Sequence, residues 1–393
     1  MPDTNTHVET QGKVITRSLG AARLRGRVTF MYAFDIAYDM QRKPLRELLG
    51  HPVATFQMDS SKRSPKQLFF YRPQMVRLPP AEKFGPDGVV RMERVVKIMP
   101  VGAISITISV PFEVDDLRDL VDYHELRFND GTTLTDEVRS LGEQIRREML
   151  PTLIKPVQAI GDVEAYTVFC IEGPLRKVYA GEEVELSAEQ WLQSHRRDIA
   201  ALLTQEADPE LLSAQEAEES SSRYLSYYQD DICVIDWDAA IVVDNPTEFD
   251  ETLYIMELAN VQLAELEAYD RLLDDAVESA YRDLSGTRWA RWFPAGRTQN
   301  ELRELRVDAT RINDELSNIT KFFGDWHLAR LYQGLADRFH LGDWHKSVRQ
   351  KLTALDEIYQ LIHGDSNNRK MLMLEALIVL LFVIEVVKGF VSK

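Results

Sequence analysis

The last stretch of this chain constrains its architecture more than any other feature. From Met371 to Val391 the residues read Met-Leu-Met-Leu-Glu-Ala-Leu-Ile-Val-Leu-Leu-Phe-Val-Ile-Glu-Val-Val-Lys-Gly-Phe-Val. As a helix, a run of about 21 residues is long enough to cross roughly 30 Å of hydrocarbon. Arg369 and Lys370 flank one end, Lys388 and Lys393 the other, where long basic side chains reach the interfaces. Glu375 and Glu385 lie toward the ends, where a charge costs less than at mid-bilayer. Leu, Ile and Val occupy the whole circumference, which disfavours a helix lying on a surface. Burial in the protein's own core or in an oligomer is the competing reading. The sequence thus predicts one C-terminal transmembrane helix over 368–391. Its anchor residues are Leu374, Glu375, Leu377, Ile378, Leu380, Leu381, Phe382, Ile384, Glu385 and Val386. With so little chain after it, such a span inserts late and leaves the N-terminal body cytosolic, at a bacterial inner membrane or an organelle inner membrane.

The body is acidic, with a net charge of −17. Phosphate binding needs concentrated Lys and Arg, so nucleic acid is not an expected partner. An acidic body also does not lie flat on anionic lipid, so a bilayer partner has to be held through the hydrophobic tail. Cys170 and Cys233 are the two cysteines, each among apolar and β-branched neighbours. They read as buried free thiols in strands of a protein from a reducing compartment. Residues 1–26 have no apolar signal-peptide core and read as a flexible tail.

Residues 27–246 predict an α+β soluble domain. Strands are expected at 27–37, 89–99, 103–112 and 163–171, with a strand pair over 232–243. Pro100 to Gly102 supplies a turn between two of these strands. Helical spacing covers 115–127 and 135–150, and Pro151 ends the second helix. Ser187 with Gln190 three residues on forms a capping box. Residues 38–66 read as loops with short helical pieces, and the acidic 205–222 as a solvated loop or partial linker.

After Pro246 strand signals almost vanish. Met256, Ala259, Leu263, Leu266, Leu273, Val277, Ala280 and Leu284 follow three-four spacing, closed by Gly286. A second series runs from Leu302 to Trp326, and a third from Trp344 to Ile362. Narrow stripes of this kind predict an all-α antiparallel helical hairpin or coiled coil over 251–363. They pair within the chain, recruit a helical protein partner, or drive self-association. Gly364 to Asn368 reads as a break before the tail.

Two patterns carry possible chemistry. Ile232-Cys-Val-Ile-Asp-Trp-Asp238 is a hydrophobic strand ending in Asp-x-Asp. That is how the haloacid-dehalogenase type of phosphatase opens, with the first Asp attacking phosphorus and the second handling the leaving-group proton. Such a domain also needs a later Lys and a magnesium-binding acid pair on a repeating α/β frame, whereas the chain beyond is helical. A β-hairpin with an acidic turn is the plainer reading, and magnesium-dependent phosphate chemistry through Asp236 and Asp238 is the alternative. The tandem Gly-Asp-Trp-His at 324–327 and 342–345, with His340 nearby, gathers three imidazoles. Gly342 and Asp343 read as a helix stop and N-cap, with Trp344 packing inward, so no metal and no cofactor is expected.

The C-terminal half also resembles a known family. Ile319-Thr-Lys-Phe-Phe-Gly-Asp-Trp-His-Leu-Ala-Arg330, Ala336-Asp-Arg-Phe-His340, Leu355-Asp-Glu-Ile-Tyr359 and the Leu-Glu…Ile-Glu pattern of the tail carry the likeness, with Asp231–Ala240 and Glu257–Leu263 upstream. Over roughly residues 220–390 the chain resembles the family named for "required for meiotic nuclear division". That resemblance implies a single C-terminal span and no recognised catalytic residues. It further implies kinship with mitochondrial members that support translation at the inner membrane. The expected function is a non-enzymatic, membrane-tethered scaffold acting through its helical region.

Overall fold

A computed structural model describes residues 23–41, 44–56, 73–86, 88–99, 102–161, 163–179, 182–285 and 326–391. Its frame is a nine-stranded sheet built from runs rich in β-branched residues. In chain order the strands are β1 (Leu24–Asp35), β2 (Ala54–Thr55), β3 (Gln74–Gly85), β4 (Gly88–Ile98), β5 (Ala103–Val114), β6 (Glu164–Glu172), β7 (Tyr224–Leu225), β8 (Ile232–Ile235) and β9 (Ala239–Asp244). Across the sheet they lie β7-β8-β9-β6-β1-β5-β4-β3-β2. β6 and β9 run parallel and the other neighbours run antiparallel.

Period-two alternation sends each strand's side chains to opposite faces. Val28, Phe30, Tyr32 and Phe34 of β1 join Ile104, Ile106 and Ile108 of β5 in one core. Met31 and Ala33 join Tyr166, Val168, Cys170 and Val242 in the other. Both faces are buried, so helices cover both.

The first face is covered by α1 (Leu134–Met149), α2 (Ala188–Ser194) and α3 (Arg196–Leu203). Thr133 and Asp136 cap α1 reciprocally, and Ser187 and Gln190 do the same for α2. The expected 115–127 helix is a 3₁₀ segment, Leu117–Glu125. The acidic 205–222 stretch contains α4 (Ala214–Ser222), capped by Ser213, with Ser220 and Ser221 buried. That corrects the reading as a solvated loop.

The second face is covered by α5 (Phe249–Ser285), α6 (Trp326–Arg338) and α7 (Leu341–Val391). Residues 252–266 of α5 are buried all round rather than along one stripe. The sheet takes one side, and Leu328, Leu331, Tyr332 and Leu335 of α6 take another. Burying each large side chain contributes about 1.5–3 kcal/mol. Gly334 brings α6 within 3.3 Å of the Ile235 side chain, measured from where a Cβ would stand.

The all-α antiparallel hairpin is not what the described residues form. α5 and α7 pair in the same direction. Gln262 meets His345, Asp270 meets Ser347 and Lys351, and Ala280 packs with Leu355 and Ile358. The expected second arm, 302–325, and Gly286 lie outside the described residues. Helix α7 also runs without interruption through Gly364 to Asn368, where a break was expected.

The expected transmembrane helix needs correction too. Among the described residues, no helix is long and apolar enough to cross a membrane. The physical reason is the spacing of charge. Glu375, Glu385 and Lys388 leave an uncharged stretch of only nine residues, 376–384. At 1.5 Å per residue that covers about 14 Å, roughly half of a hydrocarbon layer. A single-pass membrane location, and Leu374, Glu375, Leu377, Ile378, Leu380, Leu381, Phe382, Ile384, Glu385 and Val386 as its anchor, are therefore not supported.

Candidate functional site

The Asp-x-Asp motif sits in the turn joining β8 to β9. Asp236 is buried and Asp238 is exposed. One Asp236 oxygen, Oδ1, accepts from the Trp237 amide at 2.9 Å and from Arg338 Nε at 2.8 Å. The Arg338 guanidinium forms an ion pair with the same carboxylate through its second nitrogen. The Tyr166 hydroxyl donates to the carbonyls of Asp236 and Ala239, both at 3.1 Å. This network fixes the C-terminal end of α6 to the turn. Chemically it is a buried, charge-matched fastener.

A second buried polar group lies beneath α5. Lys97 of β4 forms an ion pair with Glu257, and Thr107 of β5 donates to Glu257 Oε1 at 3.2 Å. The Lys97 ammonium also stands over the rings of Phe56, at 4.5 Å, and Tyr254, at 5.3 Å. Asn260, one turn further, donates to the carbonyls of Met31 and Glu164. Sequence reasoning missed this cluster. Its signal was present: charged or amide residues embedded in the apolar runs Arg-Val-Val-Lys-Ile-Met and Met-Glu-Leu-Ala-Asn-Val-Gln.

Carboxylates gather where β1 ends and β6 begins. Burial raises Asp35 to about 6, opposed by a hydrogen bond from the Ala37 amide and by Arg271. Burial also raises Glu164, to about 7, with the charges of Glu267 and Asp238 adding to it and Arg271 opposing. Clusters of this kind accompany functional sites but also occur in structural networks.

The three imidazoles are held apart. His327 faces the Tyr227 ring at 5.4 Å, His340 stacks on Trp237 at 5.0 Å, and His345 meets Gln262 at 3.4 Å. His340 takes a left-handed backbone with φ of 50° and separates α6 from α7, so the helix stop falls there and not at Gly342. Trp344 is half-buried against the helical core. Among the described residues, no three His, Cys, Asp or Glu side chains are grouped to hold a metal ion.

Cys170 and Cys233 are both buried and free. They flank Val242 from the strands on either side of β9. Two strand spacings separate them by roughly 9–10 Å. That exceeds the ~7 Å Cα limit for a disulfide. Burial pushes the Cys170 thiol up to about 12 and raises that of Cys233 as well.

The apolar end of α7 contrasts with these buried groups. Leu374, Leu377, Leu380, Leu381 and Phe382 are 57–68% exposed. Successive residues turn by about 100°, so these five side chains span a little over half of the helix circumference.

Comparison with known proteins locates the kinship elsewhere than the tail. A family model described as "Uncharacterized protein MJ0711, N-terminal domain" matches residues 25–250. The Uncharacterized protein MJ0711 of Methanocaldococcus jannaschii is 24% identical over 253 residues, covering 64% of this chain and 73% of that protein. No solved structure matches. The resemblance to the family named for meiotic nuclear division is overturned by this result. The match runs from β1 to the start of α5, largely outside the 220–390 stretch that carried that likeness, and nothing indicates the other family. The chain belongs to the family defined by the N-terminal domain of the uncharacterized protein MJ0711.

Proposed function

We propose that this protein is a non-enzymatic scaffold that assembles with further copies of itself through the apolar end of α7. One observation carries the reading. Between Met371 and Ile384, ten large apolar side chains are 45–68% exposed. Together they present on the order of 1,000 Å² of apolar surface, at least the share one partner gives to a specific interface. Soluble proteins rarely leave so large a contiguous patch uncovered. The occupant is a second copy because an identical helix is apolar in the same way around its circumference, and several such helices can cover one another side by side. The net charge of −17 opposes close approach of the bodies, which a projecting helix relieves.

The test is the assembly state of the full chain by sedimentation velocity. Leu377→Glu/Leu381→Glu/Ile384→Glu places three charges along one helical face. The wild type is expected to sediment as an oligomer and the variant as a monomer with an unaltered melting temperature. A monomeric wild type, or an oligomeric variant, overturns the reading.

A further inference from the structure

Three helices meet around one side-chain amide. Gln262 of α5 and Tyr332 of α6 are both buried, and the Tyr332 hydroxyl donates to Gln262 Oε1. That bond occupies the amide's oxygen, so its nitrogen is left to donate, and Nε2 of the half-buried His345 of α7 lies 3.4 Å from it. A ring nitrogen accepts a hydrogen bond only when it carries no proton. The chain from Tyr332 through Gln262 to His345 therefore requires a neutral imidazole with its proton on Nδ1. The surroundings favour that form. Burial lowers the His345 pKa, and Arg349, one turn on in α7, lowers it further. The nearby acids are engaged. Asp343 of α7 pairs with His340 at 3.3 Å, and Asp270 of α5 pairs with Lys351 at 2.8 Å. Glu265, one turn beyond Gln262 on α5, is buried and partnered. On α6 the titratable neighbour is Tyr332 itself.

We propose that His345 is an acid-sensitive latch that holds the first turns of α7 to α5 and α6. Protonation sets a ring N–H against the Gln262 amide N–H, so the bond is lost and a charge is left in the interface. The corner beside the latch is His340, whose left-handed backbone joins α6 to α7. Further along, Ser347 and Lys351 on Asp270 keep α7 attached, so release is confined to its first turns. The sign is that of a histidine held neutral by the fold. Its contribution is full above about pH 6.5 and is lost as pH falls below that value. The carboxyls of Asp35 and Glu164, raised by burial, act with the opposite sign, and His124, lowered by burial on the first face, acts with the same sign. The latch is therefore read locally, at the base of α7, and not from a global melting curve.

The experiment is amide hydrogen exchange of the full chain at about pH 7.5 and about pH 5.5, with each rate corrected for its intrinsic pH dependence. Protection over residues 341–349, taken relative to β5, is expected to fall roughly fivefold or more in the wild type on acidification. Two variants separate the latch from other acid effects. His345→Gln removes the titrating ring and keeps a side-chain acceptor, so its relative protection is expected to be the same at both pH values. Gln262→Glu is isosteric and offers a carboxylate to the protonated ring, so acidification is expected to hold or raise protection there. Circular dichroism checks that each variant folds. Wild-type protection that does not change with pH overturns the latch, and so does a wild-type-like loss in either folded variant.

Discussion

Lys97 and Glu257 stand 160 residues apart in sequence and meet in a nearly dry interior. Taking two charges out of water costs several kcal/mol per ion, and mutual attraction only offsets it when geometry is good. Removing one partner is therefore worse than removing both. Lys97→Met leaves a buried carboxylate with Thr107 but without its cation, and is expected to cost about 3–5 kcal/mol in urea unfolding. Adding Glu257→Leu should recover most of that loss. A cost below about 1 kcal/mol for the single change would show that the pair is well solvated. Glu164 gives a pH signature. Its ordinary value is about 4.3, against about 7 in the folded chain. Between those values the folded state holds the proton more tightly than the unfolded state does. Stability from this group is therefore full below about pH 4 and is lost as pH rises toward 7. Asp35, raised to about 6, acts with the same sign. Glu164→Gln should be more stable than wild type at pH 8, with the gap in melting temperature narrowing toward pH 5. Parallel melting profiles would refute it.

At the scale of elements, α6 depends on a charge at its end. Arg338 reaches Asp236, and also Glu219 at 3.5 Å. Arg338→Met is expected to strand the Asp236 carboxylate, raising amide exchange in α6 well before the sheet loosens. Unchanged exchange in α6 would show that apolar packing alone holds it. How far the elements could be read depended on whether their residues serve one role. The valine- and isoleucine-rich β4 and β5, and the capped α1 and α2, declare themselves locally. β3 does not, because Pro79 and Pro80 interrupt it. The register shifts between Leu78 and Ala81, and Arg94 donates to the Pro79 carbonyl at 2.8 Å. Proline is tolerated at such irregularities and near sheet edges. The sequence of α5 reads as a narrow stripe because Glu257, Asn260, Gln262 and Glu265 look solvent-facing by type. In the fold all four are buried. Their partners lie on distant strands and helices, so residue type alone does not say which face is buried.

At the scale of the whole molecule, the sheet order could not be read from the chain. β6 and β9 pair in parallel although more than sixty residues separate them, and the chain between them carries α2, α3 and α4 as well as β7 and β8. Of the candidate sites, Asp236 was visible as a motif, while its meaning depended on Arg338, 102 residues later. The tail illustrates the opposite case. Its composition drew attention, yet its two glutamates set the decisive length. Helix α7 has a mechanical consequence. It is one helix from Leu341 to Val391, about 75 Å of continuous hydrogen-bonded backbone. Its near end is clamped by Gln262 and Asp270, while the residues beyond Met371 reach outward. A shaft of that stiffness is a lever. Whatever grips its far end applies torque directly to the helix that roofs the sheet.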